Sequence, residues 1–172
     1  MNIINSKEIE VLDATLSGVM NNDGVIEWYI NIDCGTTYFD GISTKPRLYL
    51  ERFEWGITCI KEILTSKIII EEGSRLSNNT MLPGERLCCL YAFEHQFLNY
   101  KNGDLHVTWR AMNSNIYPDK FKIEMDTKID FLGFNLGEID LESAIRNIKF
   151  NTSGLVYYQE DGTLYLIPEG NE

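Results

Sequence analysis

Basic residues are scarce in this sequence. Its 172 residues include 15 lysines and arginines against 26 aspartates and glutamates, giving a formal net charge of −11. Nucleic acid is therefore not expected as a direct ligand, because phosphate binding requires a surface of the opposite sign. The acids gather at both ends: residues 1–44 hold seven against one lysine, and residues 123–172 hold ten against three bases. This distribution favours a basic partner.

Histidine and cysteine are also rare. The four cysteines have no C-x-x-C spacing and fall within apolar patterns, so buried, reduced thiols are expected. They are Cys34, Cys59, Cys88 and Cys89. The two histidines, His95 and His106, would lie roughly 13 Å apart on the predicted strands, too far to share a metal. No nucleotide-binding, hydrolase, zinc or calcium motif is present, so we expect no cofactor, no metal and no catalysis.

Long apolar runs are missing as well. No stretch approaches the roughly 18 residues of a membrane span, and the N-terminus lacks the basic start and apolar core of a signal peptide. We therefore expect a cytoplasmic protein without membrane contact. The composition is 44% hydrophobic with 3 tryptophans, 9 tyrosines and 8 phenylalanines, which suffices for a packed core. The length predicts one domain over residues 1–172.

The clearest pattern present is the period-two alternation of β-strands. Residues 121–131 alternate apolar with charged side chains, which predicts a strand with one buried face. Asn102-Gly103 predicts a two-residue hairpin turn that sets Tyr100 against Leu105 and continues the register upstream. That register pairs Leu98 with Val107, Gln96 with Trp109, Asn99 with His106, Phe97 with Thr108 and His95 with Arg110. Residues 87–99 also fit a helical stripe, so strand and helix both stay open, with the strand favoured.

A second hairpin is predicted over residues 11–34. A three-residue loop, Asn22-Asp23-Gly24 with a left-handed glycine, buries one continuous apolar face. It pairs Met20, Gly18, Leu16, Ala14 and Leu12 with Ile26, Trp28, Ile30, Ile32 and Cys34. The opposite face is polar.

The remaining segments complete the predicted fold. The first four are a loop over 35–46 with Tyr38, Phe39 and Ile42 as exposed anchors, a strand over 47–53, a short helix through Ile57, Ile60 and Leu64, and a strand over 67–72. The others are a loop over 73–85, the end of the sheet at 133–137, a helix capped by Asp140, and a hairpin over 155–167 that turns at Asp161-Gly162. The predicted class is α+β, with roughly eight or nine mostly antiparallel strands in one curved sheet or two packed sheets and two short helices. The expected core residues are Trp28, Val107, Trp109, Ile123, Met125 and Ile129.

The polar face of the first hairpin is the candidate binding surface. Its expected members are Asp13, Glu27 and Asp33, exposed and unpaired within the chain, with Tyr29 between them as an aromatic anchor. Asp126 and Asp130 would extend it. Asp13 lies opposite Asp33 in the predicted register, and two such carboxylates repel unless a basic group or cation lies between them. The pair is consistent with a hydrated strand end, a surface for a basic partner, or a cation or catalytic site.

These features favour a non-catalytic, acidic protein-binding inhibitor. A toxin-immunity protein of bacteria or a phage counter-defence protein fits this description, with a nuclease toxin or another nucleic-acid-handling protein as the basic partner. One alternative is a small-molecule or carbohydrate-binding β-domain, perhaps an enzyme, with Trp28, Tyr29, Trp55 or Trp109 lining a cavity. Another is an assembly subunit that oligomerises through the hairpin of Tyr157 and Tyr165. The sequence does not decide the oligomeric state.

Overall fold

In the residues that the structure describes, β-strands far outnumber helices. The computed structural model describes residues 2–4, 7–39, 41–63, 77–82, 86–92, 97–101, 104–113 and 122–169. These contain two helices, α1 (Ile60–Ile63) and α2 (Leu141–Asn147). The strands are β1 (Ile3–Ile4), β2 (Lys7–Glu8), β3 (Val11–Met20), β4 (Ile26–Cys34), β5 (Thr37–Phe39), β6 (Ile42–Thr44), β7 (Arg47–Glu54), β8 (Ser77–Leu82), β9 (Arg86–Ala92), β10 (Phe97–Lys101), β11 (Asp104–Asn113), β12 (Lys122–Lys128), β13 (Asp130–Gly137), β14 (Leu155–Glu160) and β15 (Thr163–Pro168). The predicted α+β class is confirmed.

One large sheet dominates the architecture. Its strand order is β14-β15-β13-β3-β4-β7-β8-β9-β11-β12-β1-β2, with β10 beside β11, while β5 and β6 form a separate hairpin. Among the described ladders, only the one between β13 and β3 is parallel. The sheet is curved, because buried side chains of β11 and β12 join the same hydrophobic cluster as those of β3, β4 and β7.

The first hairpin, β3 and β4, has the predicted register. Met20 pairs with Ile26 and Gly18 with Trp28, and Gly24 adopts a φ of 75° in the loop. A left-handed glycine at this position lets a three-residue loop match the twist of the strands. The prediction fails at Leu12, which is 58% exposed. A bulge between Val11 and Asp13 turns Leu12 out of the apolar face.

The predicted meander of β10, β11 and β12 is present, with one shift. Tyr100 pairs with Leu105 as predicted, and residues 87–92 form a strand rather than a helix. A bulge between Phe97 and Asn99 then shifts the register, so that Val107 lies opposite Phe97 instead of the predicted Leu98. Phe97 therefore does not lie opposite Thr108, as the prediction requires. The turn residues 102–103 and the predicted pairs of His95 and Gln96 lie outside the described residues, as does the strand predicted over 67–72.

Three segments predicted as loops or sheet ends are strands. Residues 37–39 and 42–44 pair as β5 and β6, residues 77–82 form β8 between β7 and β9, and β13 continues to Gly137. Their Gly, Asn and Thr residues resemble turn formers, yet hydrogen bonds to neighbouring strands decide the structure. The short extra strands raise the described number to fifteen, above the predicted eight or nine.

The C-terminal elements follow the sequence closely. The Asp140 carboxylate accepts hydrogen bonds from the Ser143 backbone N–H at 2.9 Å and from its hydroxyl at 2.7 Å, and so caps α2. These hydrogen bonds also lower the pKa of Asp140. The last hairpin turns at Asp161 and Gly162, which have φ values of 48° and 84°. It pairs Tyr158 with Tyr165, the register that the predicted turn requires.

The core lies on the inner side of the curved sheet. The expected members Trp28, Val107, Ile123, Met125 and Ile129 are all at most 2% exposed. The backbone of Trp109 pairs with Met125, but its side chain lies outside the described part of the chain. Trp28 is the centre of an aromatic cluster with Trp55, Phe131, Phe134 and Phe150.

Candidate functional site

The outward side of β13, β3, β4 and β7 is the candidate site, and we call it the acidic face. Its defining residues are Asp13, Glu27, Tyr29 and Asp130. The parallel ladder sets Asp130 beside Thr15, and Thr15 lies opposite Asn31. Since paired residues share one side of a sheet, Asp130 joins the polar face of the first hairpin. This long-range pairing has no local signal in the sequence.

Asp33 does not meet the expectation of an unpaired carboxylate. It lies opposite Asp13 as predicted, but on its other side it lies opposite Arg47 of β7. The Arg47 Nε atom donates to the Asp33 carboxylate at 2.7 Å, and Nη2 lies 3.4 Å from its second oxygen. The hydrogen bond and charge of Asp33 raise the pKa of Arg47. The basic group that relieves the Asp13–Asp33 repulsion therefore comes from the chain itself.

The acids of the acidic face are spread along it, with an aromatic ring between them. Tyr29 pairs with Ser17, and Glu27 pairs with Val19. Val19 is six residues beyond Asp13, so Glu27 lies roughly 20 Å from Asp13 along the strands. Among the described residues, neither Asp13 nor Glu27 has an ion-pair partner. Asp13 is exposed as predicted, whereas Glu27, which was also predicted to be exposed, is half-buried like Tyr29. The face therefore offers separated negative charges with Tyr29 between them.

The two remaining predicted residues differ in their placement. Asp130 is 63% exposed, and its carboxylate lies 3.9 Å from the Lys128 ammonium, which is the limit of an ion pair. Asp126 lies on β12, which is not hydrogen-bonded to β3 or β13 in the described ladders. Its carboxylate is 3.6 Å from the Nδ1 atom of His106, and its backbone N–H donates to Asn2. The structure thus joins Asp130 to the acidic face and leaves Asp126 beside His106.

Sequence reasoning missed the apolar neighbours of the acidic face. Val19 is 38% exposed and Leu132 is 53% exposed. Asn135 pairs with both Val19 and Tyr165, so an outward row runs from Glu27 through Val19 to Tyr165 and Tyr158. Val19 is visible in the sequence as the apolar member of the predicted polar face, whereas the bulge that exposes Leu132 depends on the parallel pairing.

A small cavity lies beside the aromatic cluster. Its volume is about 190 Å³, and Trp28, Trp55, Ile57, Lys149 and Phe150 are among the residues that line it. Trp28 and Trp55 are two of the residues expected at a ligand cavity, whereas Tyr29 lies on the acidic face. Sites for drug-sized ligands usually measure about 300–1,000 Å³. The cavity therefore suits only a ligand of few atoms, and the acidic face is the better-supported site.

The described cysteines differ in burial. Cys34 is buried, as predicted, while Cys59 is half-buried, and neither forms a disulfide. Burial, followed by the negative charge of Asp33, raises the pKa of Cys34 from 9.0 to about 12. The side chains of Cys88 and Cys89 lie outside the described part of the structure.

The folded protein is expected to react with a thiol reagent at Cys59 before Cys34, because the thiolate is the nucleophile and Cys34 stays protonated at about pH 8. Because burial raises the pKa of Cys34 in the folded state, the protonated Cys34 thiol contributes stability that is complete below the ordinary thiol pKa. This contribution is lost as the pH rises toward about 12. Brief labelling followed by peptide mass mapping measures the order of reaction. Equally rapid native-state labelling of Cys34 would contradict its burial.

Neither the described part of the structure nor comparison with known proteins points to a metal site, a membrane-spanning helix or a protein family. Among the described side chains, no group of three or more His, Cys, Asp or Glu is placed to hold a metal ion. Nor does any described helix have the length and apolar character needed to cross a membrane. Comparison with protein-family models, curated proteins and solved structures found no significant match.

Proposed function

We propose that this chain is a non-catalytic, cytoplasmic inhibitor that binds a basic protein through its acidic face. It would act as a toxin-immunity protein or a phage counter-defence protein does, and a nuclease toxin or another nucleic-acid-handling protein would be its target. The observation that carries this proposal is the arrangement of Asp13, Glu27 and Asp130 around Tyr29 on one side of the sheet.

Charge and aromatic surface support different parts of this function. Exposed acids accelerate encounter with a basic protein and disfavour acidic partners. A tyrosine between them supplies contact area and a hydroxyl, and tyrosine is enriched among the residues that dominate binding energy. The Asp33–Arg47 pair is already formed, and an exposed pair of this kind contributes little. Asp13, Glu27 and Asp130 therefore carry most of the proposed attraction.

Neutralising Asp13, Glu27 and Asp130 together, as Asp13→Asn, Glu27→Gln and Asp130→Asn, should slow association with the partner about three- to tenfold at low salt. The difference should shrink as ionic strength rises, because salt screens exposed charges. Folding should be little affected, because none of the three acids is buried and removing like charges relieves repulsion. The partner is captured from the native host, identified, and its association measured by stopped flow.

The matched control is a variant with Glu8→Gln, Glu138→Gln and Glu142→Gln. These three residues are exposed and outside the acidic face, so the control has the same net charge as the test variant. It should associate nearly as fast as the wild type if the position of the acids matters rather than their number. Equal rates for the two variants would reject the acidic face, and an acidic captured partner would reject the proposed function.

A further inference from the structure

The sheet has two unlike ends. One is β2, a two-residue strand made of Lys7 and Glu8. The other is β14, a six-residue strand whose first five residues, Leu155 to Gln159, are uncharged. Natural sheets usually protect an edge with short strands, charges or proline, because an open edge pairs with other strands. In the described part of the chain β14 has a neighbour on one side only, and it has none of these protections before Glu160.

The turn geometry shows which backbone groups of β14 face outward. A two-residue turn makes Glu160 and Thr163 a hydrogen-bonded pair, and such pairs alternate with non-bonded ones. Tyr157 and Gln159 therefore direct their N–H and C=O groups away from β15. Leu155, next in the series, agrees with this, because its N–H donates to the Thr152 carbonyl rather than to Pro168. The backbone N–H and C=O groups of Tyr157 and Gln159 are thus placed to hydrogen-bond to an added strand.

The surroundings of this ladder define the side chains that would suit it. Tyr158 is 45% exposed and lies 6.5 Å from the Tyr165 ring on the outward side. Glu160 and Asp161 are exposed at one end of β14. Exposed Glu169 follows β15 at the other end, where its backbone N–H lies 3.4 Å from the Gly154 carbonyl. An apolar middle is therefore bounded by negative charge at both ends.

We propose that the open edge of β14 binds an extended segment of a partner protein by strand addition, and that this segment has apolar residues in its middle and lysine or arginine at both ends. Main-chain hydrogen bonds to Tyr157 and Gln159 would hold the segment, and Tyr158 would contact its alternate side chains. The basic ends would meet Glu160 and Asp161 on one side and Glu169 on the other.

A second copy of this chain fits the edge less well than a basic segment does. An antiparallel pair of β14 strands must set outward-facing residues opposite each other, so a pair centred on Tyr157 would bring Glu160 of one copy beside Gly154 of the other. That end already carries Glu169 on the adjoining strand, so the copies would bring acids together at both ends of the interface. Like charges across strands are unfavourable, whereas a basic segment is attracted at the same places.

The test uses a synthetic fluorescent peptide of alternating valine and threonine with a lysine pair at each end, and binding is followed by anisotropy. Gln159→Pro removes one outward N–H and should weaken binding about tenfold or more. Proline is tolerated on an edge strand at a position whose N–H faces away from the ladder, and Gln159→Ala is the matched control with its N–H intact. The control should bind like the wild type.

Peptide variants test the same contact without changing the protein. In an added strand, every second residue directs its N–H toward β14. Methylating the backbone nitrogens of these residues should abolish binding, whereas methylating those of the residues between them should not. Replacing the lysines with glutamates should weaken binding most at low salt. The variant with Asp13, Glu27 and Asp130 neutralised should bind the peptide like the wild type, so this contact and the acidic face can fail independently.

Three results would overturn the proposal. One is equal affinity for the proline and alanine variants, and another is equal affinity for both methylated peptides. The third is no binding of the lysine-flanked peptide to the wild type at millimolar concentration. A wild-type dimer in sedimentation experiments that is lost in Gln159→Pro would instead assign the edge to a second copy.

Discussion

Replacing Trp28 with alanine is expected to lower the free energy of unfolding by about 3–5 kcal/mol, the usual cost of removing a buried aromatic side chain. Trp28 is 1% exposed. Its ring centroid lies 5.1 Å from those of both Trp55 and Phe134, with near-perpendicular planes. Phe150 and Phe131 follow at 6.1 and 6.3 Å. The substitution would remove contacts with four rings at once and leave a cavity that rigid strands cannot close.

Thermal denaturation gives the measurement. For a chain of this length the loss corresponds to a fall in melting temperature of about 6–20 °C. Tyr38→Ala is the control, because Tyr38 is 59% exposed and its loss should change stability by only about 0.5 kcal/mol. A Trp28→Ala midpoint within the range of that control would mean that Trp28 is not the centre of the core.

The sequence predicts the first hairpin well because two local signals agree there. Side-chain alternation requires Trp28 to face inward, and only a three-residue loop with a left-handed Gly24 keeps every apolar residue on that side. The bulge that exposes Leu12 has no such signal. It inserts one residue near the end of the ladder, beyond the part that the turn determines.

Long-range pairing accounts for the larger errors. The segment 133–137 contains two glycines and resembles the end of a sheet, yet it lies between β3 and β15 and is hydrogen-bonded on both sides. The segment 77–82 begins with four polar residues but pairs with β7 and β9. Both neighbours of 133–137 are distant in sequence, and so is β7, one of the two neighbours of 77–82, and alternation alone cannot identify these strands.

The candidate site shows the same division between local and distant information. The hairpin register places Asp13, Glu27 and Tyr29 on one face from the sequence alone. Arg47, which neutralises Asp33, belongs to a strand on the far side of the β5–β6 segment, and its register with β4 depends on tertiary packing. The sequence suggests Asp130 only as an extension of this face, and the parallel pairing with β3 gives it a definite position.

Replacing Gly133 with alanine is expected to cost about 2–5 kcal/mol, the sum of left-handed backbone strain and overpacking. Gly133 has a φ of 92°, and a β-carbon at this position would lie 2.0 Å from the Leu166 carbonyl oxygen. That oxygen belongs to β15, whose backbone is held by strands on both sides. Neither the added methyl group nor the opposing carbonyl can therefore move without breaking the ladder.

Gly137→Ala separates the two causes. Gly137 lies on the same strand with a similar φ of 84°, but a β-carbon added there would meet nothing within 4 Å. Alanine there should cost only the backbone strain, about 1–2 kcal/mol. Urea denaturation of both variants measures the difference, which reports the contact between β13 and β15. A Gly133→Ala variant no less stable than Gly137→Ala would show that β13 does not approach β15 so closely, and would also remove the basis for the outward row from Glu27 to Tyr158.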